Sequence, residues 1–166
     1  MSKHVQFGVD WSQQHCGVHH ATIEQVCENM PDLNDILKSF PDDPYSFTWD
    51  VKVHMLMPGQ FPCIPHWHTD NVPRIGGVQR FDLCDLSKPM YLWVSGGPLT
   101  QFKHGFVEPG HWHRFNQADE HRGIAASDNC WRGFIRATHR DLMPPKGGDV
   151  VRRHTQVYLD SNTYQW

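Results

Sequence analysis

The sequence predicts a mainly β protein, a β-sandwich or jelly roll with a helical flank at its N-terminal end. Three observations carry this. Short runs rich in β-branched and aromatic residues recur from about residue 47 onward, divided by turn residues. The region with clear helical spacing lies before them, within residues 21–40. No helical pattern alternates with the later strands, which argues against a parallel sheet.

Taken in order, "ATIEQVCENM" reads as a short helix ended by Pro31. In "PDLNDILKSF", Asp32 is placed as an N-cap, and Leu33, Ile36, Leu37 and Phe40 recur at helical spacing. "PDDP" at 41–44 closes this part. The expected strands are 47–57, 64–70, 78–83, 89–95, 104–109, 111–116, 131–138 and 150–159. Between them stand "PG", "IGG", "SGGP" and "PPKGG". The reading is a single domain over 1–166, with 1–45 as helical flank and 46–166 as jelly-roll core. A chain of 166 residues is long enough to bury a full core.

Composition narrows the function. A net charge of -3 and an isoelectric point near 6.5 give no general attraction to nucleic acid or anionic lipid. Seven tryptophans and nine phenylalanines suit a β core of wide, stiff side chains. Five cysteines, an odd number without a CxxC pair, argue against a disulfide framework and against a zinc ribbon. The stretch "MSKHVQFGVDWSQQHCGVHH" lacks an apolar signal core, and no run approaches the length of a membrane span. The expectation is a protein of the reducing cytoplasm acting on a small molecule or another substrate, with oligomeric state open. No GxGxxG, GxxxxGK[ST] or GxSxG occurs.

The most informative stretch is "PHWHTD", residues 65–70. A strand points alternate residues to one face, so His66, His68 and Asp70 would project together. The chain has 13 histidines, and a pair at spacing two can arise by chance. The motif therefore counts only with what completes it. Two imidazoles and one carboxylate on one face form the arrangement used by non-haem Fe(II) oxygenases, which needs an HxD and a distant histidine. His104, His111, His113, His121, His139 and His154 are candidates for the distant ligand. His121 lies about fifty residues after Asp70. Arg132 and Arg136 follow it by 11 and 15 residues on a strand-like run, sharing a face with Phe134.

HxD, then about fifty residues, then His, then Arg about ten residues later resembles the Fe(II)/2-oxoglutarate-dependent oxygenases. "LWVSGGPLTQF" resembles a Gly-Pro-Thr turn of some short members. The resemblance covers residues 49–138 and implies a double-stranded β-helix, a form of jelly roll. It implies Fe(II) held by His68, Asp70 and His121, and 2-oxoglutarate as co-substrate. Its far carboxylate would be held by Arg132, or failing that Arg136. An arginine fork matches a carboxylate bidentately, which a lysine does not.

Two other readings use the same chain. "HWH" with the later "PGHWHRFN" resembles the two short motifs of cupins, with His66, His68 and His113 as ligands. The usual glutamate after HxH is missing, "TDNV" standing there instead. A jelly roll that binds a ligand without chemistry is the third. Trp67, Trp93, Trp112 and Trp131 could stack a planar ring or pack the core, and Arg74 and Arg80 could face an anionic substrate or water.

Overall fold

A computed structural model describes residues 4–160. It is mainly β. The chain opens with a hairpin, β1 (Val5–Gln6) and β2 (Val9–Asp10), followed by β3 (Gly17–Ala21). Two short helices follow, α1 (Ile23–Asn29) and α2 (Asn34–Lys38). The remaining strands are β4 (Phe47–Leu56), β5 (Arg74–Ile75), β6 (Val78–Gln79), β7 (Met90–Val94), β8 (Thr100–Phe102), β9 (Gly105–Phe106), β10 (His113–Phe115), β11 (His121–Gly123), β12 (Cys130–His139) and β13 (Val151–Arg152).

One six-stranded sheet runs β10-β7-β12-β4-β3-β13, antiparallel at every pairing. Its spine is the ten-residue ladder of β12 on β4, from Cys130 opposite Leu56 to His139 opposite Phe47. A smaller sheet, β11-β8-β9, is extended by an isolated bridge between His68 and His121. From β4 the chain alternates between the sheets. It passes from β4 to the His68 segment, to β7, to β8 and β9, to β10, to β11, and back to β12.

Both faces of the large sheet are covered, so β12 is buried almost throughout instead of alternating. On the outer face Trp49, Val51, Tyr91, Trp93, Ile135 and Ala137 pack against Val26, Met30, Leu33, Ile36 and Leu37 of the helical segment. Phe40 meets Phe47, Trp49, Tyr91 and Trp112 edge-on, with centroids 4.8–5.1 Å apart. On the inner face Met90, Leu92, Val94, Phe115 and Phe134 pack against Phe102 and Val107. The hydrophobic patterning of the helices is explained by this outer layer.

Gly133 shows how tight the outer layer is. The buried Trp11 ring lies on its Cα, and a Cβ there would overlap the indole. Gly133→Ala is expected to cost about 1–3 kcal/mol through overpacking. Urea unfolding reads this directly, and an unchanged midpoint would contradict the packing described.

Several expectations are corrected. Residues 1–45 are not a purely helical flank, because β3 is an interior strand of the large sheet, between β4 and β13. Its "GVHHA" carries a register shift between Val18 and Ala21, with His20 at φ +50°, which breaks the alternation that reveals strands. Asp32 is not an N-cap. It sits in a 3-10 turn, Pro31–Leu33, and accepts from Gln14 Nε2 at 2.9 Å. The capping box belongs to α1, where Thr22 and Gln25 satisfy each other's backbone N–H groups. Residues 64–70 form no strand beyond the His68 bridge, and 78–83 becomes two strand residues and a 3-10 turn, Phe81–Leu83. Over 150–159, only β13 and a bridge from Tyr158 to Phe61 are paired.

Candidate metal centre

His68, Asp70 and His121 come together at the edge of the small sheet. Their possible ligand atoms lie within 4.8 Å of one another. The chain brings them there by backbone pairing. His68 and His121 exchange both N–H···O bonds at 2.9 Å, which sets their rings 4.4 Å apart. Asp70 follows two residues on, and Asn71, at φ +58°, turns the chain directly after it. Gln117 Nε2 donates to the Asn71 carbonyl at 2.7 Å and pins that turn.

The ring orientations are set by carbonyls. His68 Nδ1 lies 2.7 Å from the His66 carbonyl and His121 Nδ1 lies 3.2 Å from the Asp119 carbonyl. A carbonyl only accepts, so each Nδ1 is the donor, and in the neutral ring the lone pair is left on Nε2. The His121 Nε2 lone pair then faces Asp70 Oδ2 at 3.4 Å. Two acceptors facing each other require a proton or a cation between them. Ligands bonded at about 2.1 Å stand roughly 3.0–3.4 Å apart in octahedral or tetrahedral geometry, so this spacing suits a first-row divalent ion. Burial lowers the His68 pKa, partly offset by the His66 carbonyl, so the imidazole is held in the neutral form that ligates.

Arg136 organises the carboxylates. Its Nη1 donates to Asp70 Oδ2 at 3.0 Å and its Nη2 to Asp50 Oδ2 at 3.1 Å. Burial alone would raise the Asp70 pKa, but the Arg136 guanidinium outweighs it and holds the carboxyl well below its usual range. Arg136 lies on β12, directly opposite Asp50 of β4.

Arg132, four residues earlier on the same strand face, is different. It is fully buried, and among the described residues only Nη2 has a hydrogen-bond partner, the Thr100 hydroxyl at 2.9 Å. Its Nε and Nη1 have none. Burial pulls its pKa down to about 10, so it remains charged at neutral pH. The nearby thiols cannot neutralise it, since burial pushes Cys63 up to about 11 and raises Cys130 as well. A buried guanidinium in this state lacks an anion.

Beside Arg132, opposite it on β4, His54 is also buried. Its Nε2 contacts the Gln156 carbonyl at 3.2 Å. Burial, then Arg132 and Lys52, depress its pKa to about 3. The unfolded chain therefore takes up a proton near pH 6.5 that the folded chain refuses until about pH 3. This stability is present above pH 6.5 and is lost as pH falls across that window. Between pH 6 and 5, His54 should contribute a loss of about 1 kcal/mol per pH unit. His54→Gln should flatten the wild-type slope in urea unfolding by that amount, and parallel pH profiles would contradict the burial of a neutral ring.

A cavity of about 260 Å³ opens between the sheets. Its lining includes His68, Asp70 and His121, with Leu92, Phe115 and Phe134 as the apolar wall and Thr100 deeper in. Arg74 and Gln79 stand at its rim. Arg80 is paired to Asp82 and takes no part. Of the tryptophans, Trp93 is core, Trp112 donates to Ser39, and the Trp67 ring contacts the cations of Lys103 and Arg122 at 3.9 and 4.6 Å.

The rival histidine set does not assemble. His66 is exposed, and His113 packs against both Phe102 and His104, its buried Nε2 without a hydrogen-bond partner among the described residues. Among the described residues neither joins His68 in a ligand group. A second group that the sequence reading missed does assemble: His19, His20 and Asp50. The β3 register shift puts the two rings in a stack at 3.8 Å, and His19 Nδ1 reaches Asp50 Oδ1 at 3.1 Å. The available signal was Asp50 itself, a carboxylate in the centre of an apolar strand. Among the described residues, two His/Asp clusters thus have the donor atoms and the closeness to hold a metal ion.

Comparison with protein-family models, with curated proteins and with solved structures gives no match. Among the described residues, no helix is long and apolar enough to cross a membrane.

Proposed function

We propose that this chain is an Fe(II)/2-oxoglutarate-dependent oxygenase on a jelly-roll scaffold. The observation that carries the reading is the convergence of His68, Asp70 and His121 at a cavity between two sheets. The strand path supports it, because alternation between two facing antiparallel sheets is the path of a jelly roll. Fe(II) with 2-oxoglutarate supplies oxidation by O₂: a substrate C–H becomes C–OH while the oxo acid becomes succinate and CO₂.

The protein's own residues have defined parts. His68 and His121 present Nε2 because their Nδ1 protons are held by carbonyls. Asp70 stays ionised through Arg136. Leu92, Phe115 and Phe134 keep water from the inner cavity. Arg132, with the Thr100 hydroxyl between it and the cavity, is the group for the far carboxylate of 2-oxoglutarate. Arg136 is the poorer choice for that role, since both of its Nη groups are engaged by Asp50 and Asp70. Succinate formation from 2-oxoglutarate, dependent on Fe(II) and lost in His68→Ala, is the expected assay result. Equal turnover in that variant would contradict the assignment.

A further inference from the structure

A second cavity, of about 440 Å³, lies at the β3–β4–β13 end of the large sheet. It shares Lys52, Arg136 and Tyr158 with the first, so the two adjoin across Arg136. We propose that this second cavity is an anion-binding pocket, with Lys52 and Arg152 as its cationic contacts, and that it anchors a carboxylate or phosphate of the substrate. The role in substrate binding rests on the oxygenase reading; the anion site does not.

The charge balance around the cavity points this way. Lys52, Arg136, Arg152, His19 and His154 line it, against Asp50 alone. Asp50 is already saturated: Oδ1 accepts from the His20 amide and meets His19, while Oδ2 accepts from Arg136. Arg136 is spent on Asp50 and Asp70. Lys52 and Arg152 have no ion pair among the described residues. Lys52 lies partly buried, with its ammonium 5.2 Å from the centre of the Phe134 ring. Burial, then Arg136 and Arg152, lower its pKa, and the smaller opposing pull of Asp50 does not offset them. The open space beside it is where a counter-charge fits.

The same facts disfavour a metal at His19, His20 and Asp50. A divalent cation there would stand amid Lys52, Arg136, Arg152 and Lys146, with the carboxylate already shared. The backbone supports a rigid pocket. The His19 amide donates to the Val150 carbonyl at 2.8 Å, and the His20 carbonyl accepts from the Lys146 amide at 2.9 Å. A ligand whose anionic end sits between Lys52 and Arg152 has its other end directed past Arg136 toward His68 and Asp70, because Lys52 lines both chambers.

The test is calorimetric titration of the metal-free full chain, at low ionic strength, with inorganic phosphate and with acetate. Saturable binding of one of them is expected, and which one binds tells whether the substrate carries a phosphate or a carboxylate. Lys52→Gln and Arg152→Gln should each weaken it about tenfold or more. Lys52→Arg should retain it, and so should His68→Ala, which alters the other chamber. Circular dichroism confirms that each variant is folded; Arg152, at the sheet edge, keeps the test decisive if Lys52 variants are not. No saturable binding of either anion, or equal binding in the wild type and Arg152→Gln, would overturn the proposal. So would a second Fe(II) per chain that is lost in His19→Ala. Anion binding without Fe(II) binding would sink the oxygenase reading and the substrate role together, while leaving the pocket.

Discussion

His68→Ala should lower Fe(II) affinity by more than about a hundredfold and leave the fold intact. Outer partners of metal ligands alone are worth about 10–100-fold, so a direct ligand should be worth more. His68 is the cleanest of the three to remove, because among the described residues its ring holds no ion pair and its backbone pairing with His121 survives the change. Asp70→Ala should abolish binding equally but also unfold more readily. It strips Arg136 of one of its two carboxylates, at a cost of about 1–3 kcal/mol. Anaerobic calorimetry with Fe(II) gives the affinities and urea unfolding the stabilities. Equal metal affinity in wild type and His68→Ala would remove the site from His68.

Arg132→Ala should weaken 2-oxoglutarate binding by roughly thirtyfold to several thousandfold, since losing one partner of a buried charged pair costs about 2–5 kcal/mol. Arg132→Lys should rescue it only in part, because an ammonium cannot reproduce the planar fork. The ligand-free protein should behave in the opposite sense. Arg132 is buried with two of its three nitrogens unpartnered, so Arg132→Met should leave stability unchanged or raise it by about 1 kcal/mol or more. A residue that a fold keeps against its own stability is one kept for a ligand. If Arg132→Met instead unfolded the protein and left 2-oxoglutarate affinity untouched, the arginine would be structural.

The long strands were legible because their residues are β-branched and aromatic over a full span: β4, β7 and β12 fall where the sequence places them. The short strands were not. β11 is three residues, His121–Gly123, polar in sequence, and owes its existence to pairing with β8 and with His68. β8 was read as part of a turn. β3 hid behind its bulge.

The three side chains that converge were legible in the sequence, but the reason they meet was not. Strand alternation placed His66, His68 and Asp70 on one face, yet His66 is exposed and contributes its carbonyl, to His68, instead of its ring. His68 and Asp70 meet His121 through two backbone bonds that no periodicity reveals. The spacing from His121 singled out two arginines and left open which face of their strand lay inside. Both faces are covered, and Arg132, Phe134 and Arg136 share the one toward the small sheet. The different pairing of the two arginines depends on Asp50 and Thr100, which come from β4 and from β8.

The most direct measurement is titration of 2-oxoglutarate into the Fe(II)-loaded chain without oxygen, followed by calorimetry. Saturable binding of one 2-oxoglutarate per Fe(II) is expected, absent from the metal-free chain and from His68→Ala. A chain that holds one Fe(II) at His68, Asp70 and His121 and shows no 2-oxoglutarate binding, or that binds it equally well without metal, would contradict this expectation.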